Sequence, residues 1–98
     1  MNAPEQCQTM VEVRAGIDAL DAQIVALLAT RFRFMDAAAR IKQARGEVRD
    51  EERKSAVLNH VRAQAARERG PSALIVSLYD ALIEASIAYE LERFDALQ

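Results

Sequence analysis

The 98-residue chain has one cysteine, one histidine and no tryptophan. A lone thiol, Cys7, excludes an internal disulfide and any cysteine-cluster metal site. No histidine is placed as its base, so Cys7 reads as a packing residue or an exposed thiol. His60 has Gln64, not a ligand, four residues on, and reads as structural or semi-exposed. No segment alternates apolar and polar residues with β-branched enrichment, so no strand is expected. Acids and bases are mixed, with a net charge of −2, which does not suit a nucleic-acid binder. No 18-residue apolar run is present, and the start MNAPEQCQT lacks a basic-then-apolar leader. No membrane partner is expected, and a cytoplasmic location is. No repeat, phosphate-cradling glycine loop, nucleophile elbow or metal set occurs, so no cofactor and no metal are expected.

What is abundant is alanine and leucine, which favour helix. The fold class expected is all-α, with one long helix and two shorter ones. Residues 1–10 form a flexible lead-in and 11–98 a single helical domain. Residues 12–45 read as one helix, with Val13, Ile17, Leu20, Ile24, Leu27, Leu28, Met35, Ala38 and Ile41 at helical spacing. At ~1.5 Å per residue this helix is roughly 50 Å long. A chain this short cannot cover such a face alone, so a partner chain is expected. On the opposite side, Asp36 and Arg40 are spaced to pair along the helix.

Two cations lie on the apolar strip. At ~100° per residue Lys42 points with Ile24, and Arg31 falls within about 20° of both. They are separated by roughly 16 Å along the axis. Unpaired buried charge is costly, so something anionic should meet them. Arg14 lies about 80–100° off that direction and cannot easily serve the same pocket within one chain.

Gly46 suits a left-handed helix end after Arg45, and Asp50 suits the N-cap of a second helix, residues 51–69. Its inward stripe is Val57, Leu58, Val61 and Ala65, with Arg53 one turn earlier also aimed inward. Gly70-Pro71-Ser72 ends this helix, with Ser72 capping a third over residues 73–94. That helix is apolar around most of its circumference and should be buried on several sides. Ser86 and Glu90 lie on its greasy face, while Asp80 and Glu84 mark its wet stripe.

Arg31, Lys42, Arg53, Ser86, Glu90, Asp50 and Arg14 together offer several cations and few anions. Such a set suits a small dicarboxylate, which arginine grips at two points. With no nucleophile–base pair, the available catalysis is positioning and electrostatics.

The order and spacing of several stretches resemble the all-helical chorismate mutases of the AroQ type, over about residues 5–95. The stretches are Arg14-x-x-Ile17-Asp18-x-x-Asp21, Leu27-Leu28-Ala29-Thr30-Arg31, Ala39-x-x-Lys42, Val48-Arg49-Asp50-x-x-Arg53 and Ile83-Glu84-x-Ser86-x-x-x-Glu90. The opening Pro4-Glu5-x-Cys7 looks like the subgroup containing isochorismate-pyruvate lyases of salicylate and siderophore synthesis. The resemblance implies an intertwined homodimer with two sites, Arg14 crossing into its partner's site. It implies that Arg14 and Arg31 grip the substrate carboxylates and that Lys42 contacts the ether oxygen and a carboxylate. Arg53 would add positive charge, and Asp50 would approach the ring hydroxyl.

Two positions depart from the common family pattern. Glu90 stands where glutamine is usual, and only its acid form can donate a hydrogen bond. Activity favouring mildly acidic pH is therefore expected. Lys54 stands where the mutases often place a glutamate for the hydroxyl. The leading reading is chorismate mutase, with Lys42 and Glu90 catalytic. Isochorismate-pyruvate lyase is the alternative, and a non-catalytic helical dimer the third reading.

Overall fold

Thr9 sets the start of the first helix. Its Oγ1 accepts the Glu12 N–H at 3.2 Å and donates to the Glu12 carboxylate at 3.3 Å, a Thr-x-x-Glu cap. In the computed structural model, which describes residues 3–98, α1 runs Met10–Ile41. Before it, Pro4–Gln6 form a 3-10 turn. Met1 and Asn2 of the expected lead-in lie outside the described residues.

The first helix stops four residues before the expected Arg45. The Lys42 N–H still reaches the Ala38 carbonyl at 2.9 Å. The next two N–H groups, of Gln43 and Ala44, donate instead to the Glu47 carboxylate. A side-chain acceptor has outcompeted the helical carbonyls. Arg45–Glu47 then form a 3-10 turn, and Val48 is buried behind it. Gly46 was expected to supply a left-handed end, but no described glycine has positive φ.

Asp50 caps α2, Glu51–Arg67, by accepting the Arg53 N–H at 3.0 Å. The C-terminal end of α2 has the paired bonds Gly70 N–H to Ala65 and Arg69 N–H to Ala66, at 2.9 and 3.0 Å. This is a Schellman closure. Its left-handed residue is Arg69, at φ 61°, and not Gly70. A Cβ at Gly70 would stand 2.8 Å from the Ile75 Cδ1 methyl, so the Ile75 side chain would have to shift to admit one. α3 spans Ser72–Ala96, with Pro71 at its N-cap and no side-chain cap. Ser72, expected as the cap, is the first helical residue.

The chain forms two units, one ending at Arg33 and the other Phe34–Gln98. In the second, Ala39, Val48, Ile83, Ile87 and Phe94 make the core, with Val57, Leu58, Tyr79 and Leu91 packed on it. The apolar bulk of α3 is not buried on several sides as expected. Leu78 is 73 % exposed, and Leu74 is open too, because one chain covers only the face carrying Ile83, Ile87 and Phe94. By length and composition α3 could cross a membrane. Its acids, however, are paired with other elements of the chain, Glu84 with Arg49 and Lys54, and Glu90 with Lys42. In the first unit Ile17, Leu20, Ile24, Val25 and Leu27 are exposed by about half or more. Asp36 does not turn to Arg40. It accepts from Tyr89 Oη at 2.8 Å and pairs with Arg93 at 3.1 Å, which ties the end of α1 to α3. The same bond, helped by burial, raises the Tyr89 pKa.

Candidate active site

Lys42 and Glu90 meet directly, although 48 positions apart in sequence: Lys42 Nζ donates to Glu90 Oε2 at 2.7 Å. Glu90 is 4 % exposed, while the Lys42 side chain keeps access to solvent. The sequence demanded an anion for Lys42, and the chain's own glutamate supplies one. Ser86, one turn before Glu90, is buried and donates from Oγ to the Leu82 carbonyl at 2.7 Å.

Lys42 also lines an open cleft of about 610 Å³ with Gly46, Glu47, Arg49, Asp50, Glu51 and Glu52. That volume is in the range of small-molecule sites. Asp50 is exposed at the mouth of α2 with one oxygen engaged as the cap. Arg53, read as inward, is exposed. The neighbouring side chain, Lys54, takes the place between α2 and α3, pairing with Asp80 at 2.9 Å and Glu84 at 2.8 Å. Arg14 is exposed and Arg31 half-buried on α1 of the first unit. That unit has an apolar hollow of about 540 Å³, walled by Ala3, Pro4, Cys7, Val13, Gly16, Ile17 and Leu20. With no charged residue among the described residues of its wall, it does not suit a dicarboxylate.

Sequence reasoning missed three residues that shape this region. Glu47 accepts from Gln43 N–H at 2.8 Å and Ala44 N–H at 3.0 Å. These bonds, that to Ala44 first, lower its pKa. Its position three residues after Ala44 is the spacing of a reciprocal cap, a signal visible in the sequence. Arg49 grips Glu84 at two points, 2.7 and 3.1 Å, and reaches Glu51 at 2.8 Å. Glu84 is held down to about 2, by Arg49 first and Lys54 second. The same contacts raise Arg49 and Lys54. Arg45 makes a two-point contact with Asp95, at 3.0 and 3.4 Å. Among the described residues no group of three His, Cys, Asp or Glu side chains could hold a metal ion.

The chain is thus all-helical, with buried Glu90 set against a part-exposed Lys42 that lines the cleft. Residues 13–91 match the family described as chorismate mutase type II, and the chain belongs to that family of isomerases. It is also 33 % identical over 93 residues to the isochorismate pyruvate lyase of Pseudomonas aeruginosa, covering 94 % of this chain and 91 % of the relative.

Proposed function

We propose that the protein is a chorismate mutase, converting chorismate to prephenate in the cytoplasm as a homodimer. The observation that carries this is the contact of buried Glu90 with Lys42, whose side chain lines the cleft. In the rearrangement the ether C–O bond breaks as a C–C bond forms, and negative charge gathers on the ether oxygen. Lys42 stabilises that oxygen, and Glu90 in its acid form donates to it. Arg31 and the partner's Arg14 grip the two carboxylates. Arg53 adds positive charge at the rim, Asp50 faces the ring hydroxyl, and Ser86 backs Glu90. No covalent or redox step is needed.

The homodimer rests on the bare face of α1, where Leu27 is 70 % exposed. A second copy of this chain would cover it and bring Arg14 to a site its own protomer cannot serve. Mixing is a direct test. Arg14→Ala and Lys42→Ala are each inactive, but their heterodimer regains one intact site. Unfolding and refolding them together should recover about a quarter of wild-type activity at statistical assortment. No recovery from two individually folded variants would rule out the crossing arginine.

The second reading, isochorismate-pyruvate lyase, is favoured by the Pseudomonas relative and by the Pro4–Cys7 opening. In it the same pocket directs a hydrogen transfer that releases pyruvate and salicylate. Incubation with chorismate and isochorismate separately, following prephenate and salicylate, separates the readings. Prephenate from chorismate is the expected product. Salicylate alone would reassign the enzyme, and neither product would remove the site.

A further inference from the structure

We propose that Glu47 is a positioning residue for Lys42: its carboxylate, seated on the N–H groups of Gln43 and Ala44, folds the chain back directly after Lys42 and holds the Lys42 ammonium at the cleft. The inference rests on the reading of that cleft as the substrate site, and it goes beyond that reading by naming what aims the lysine.

Lys42 is the first residue past α1, tethered by a single backbone bond to Ala38. Glu90 holds the Lys42 ammonium directly at 2.7 Å, but a fraying helix end would let the lysine backbone drift beneath that contact. Residues 43–48, however, are tied down. One oxygen of Glu47 accepts from both succeeding N–H groups, at 2.8 and 3.0 Å. Bonds to an ionised acceptor are about twice as strong as neutral ones. The Glu47 and Val48 N–H groups return to Ala44 and Arg45 at 3.0 and 3.1 Å, which closes the turn. Val48 is sunk in the core and Arg45 is fastened to Asp95. Among the described residues, the Glu47 carboxylate is the one acceptor for the N–H groups of the two residues directly after Lys42. Glu47 itself is exposed and lines the same cleft, so its loss opens no cavity and strands no buried group.

The chain contains two lysines, Lys42 and Lys54, and this supplies an internal control. In the full-length protein, brief treatment with acetic anhydride followed by peptide mass spectrometry reads the acylation rate of each amine. Glu47→Ala should raise the Lys42 rate several-fold and leave Lys54, held by Asp80 and Glu84, unchanged. Glu47→Gln keeps an oxygen for the two N–H groups and should fall between. Equal Lys42 rates in wild type and Glu47→Ala overturn the proposal. On turnover, Glu47→Ala should lower kcat about tenfold, as expected of a misplaced group, with KM little changed. It should have no further effect in a Lys42→Ala background. A fall of the same size in that background also overturns it. Should the wild type convert neither chorismate nor isochorismate, the site reading fails, while the acylation rates still decide the hold of Glu47 on Lys42.

Discussion

Lys42–Glu90 and Arg49–Glu84 close to the same distance, 2.7 Å. The Glu90 side chain is 5 % exposed and the Glu84 side chain 42 %. Glu84 holds two cations, Arg49 and Lys54, and shares Lys54 with Asp80, and water reaches all four groups. Burial decides what each contact does. An exposed lattice adds little stability, is screened by salt, and serves as a latch between the residue before Asp50 and α3. Glu90, buried against a part-exposed Lys42, cannot lose that partner without being left charged in a poorly solvated place. The outer cluster is therefore a fastening, and the inner contact is the one to which the proposed function gives chemistry.

The sharpest way to break this contrast is Lys42→Ala. Turnover should fall by about 10²–10³, the usual cost of losing one donor to a developing oxyanion. Thermal stability should fall as well, because Glu90 is left buried and unmatched. Adding Glu90→Gln should restore the melting temperature but not the turnover. A variant that keeps its activity, or gains stability from the single change, would place Lys42 among ordinary surface charges.

Glu90→Gln alone should retain activity and flatten its pH dependence, since an amide donates at any pH. A pH–rate profile unchanged from wild type removes Glu90 from the mechanism. Asp50 separates two roles. Asp50→Ser keeps a cap oxygen, so stability should be near wild type, while Asp50→Ala costs about 1 kcal/mol of cap. Both should lose turnover if the carboxylate meets the ring hydroxyl, so kinetics and thermal unfolding must be read together.

The outer lattice should respond weakly. Arg49→Ala should lower the melting temperature at low salt and hardly at all at high salt. Glu84 titrates near 2 in the fold against an ordinary 4.5. Its contribution is therefore whole above about pH 4.5 and is lost as pH falls toward 2. That acid-limb loss should be missing in Glu84→Gln, as acid unfolding curves would show. At the small end, Arg69→Gly relieves a left-handed arginine and should stabilise by about 0.5–1 kcal/mol in denaturant unfolding.

The helices were legible because their signals are local. Asp50 caps as its type and place require, and Val57, Leu58, Val61 and Ala65 keep to one side of α2 by spacing alone. Helical periodicity gives direction within an element and says nothing of which elements meet. So the inward leaning of Lys42 and Glu90 was readable, but their contact across 48 positions was not. The same limit explains Arg53. It and Lys54 differ by one helical step of ~100°, and the acids of α3 chose the lysine. The early end of α1 was hidden because a carboxylate reaching back from Glu47 competes with helix continuation, which propensity does not weigh. Arg14 shows the opposite case. Its awkward angle was visible in the sequence, and the proposed second copy of the chain would give it a site.

With Glu90 standing against Lys42, the chain carries an anion of its own where the proposed function would set the substrate's. The resting protein keeps its ammonium satisfied without any metabolite, and folding is thereby decoupled from supply. On the proposed function, an anionic substrate would have to compete with Glu90 for the Lys42 ammonium. A weak monoacid brings no second handle for the arginines and should be turned away.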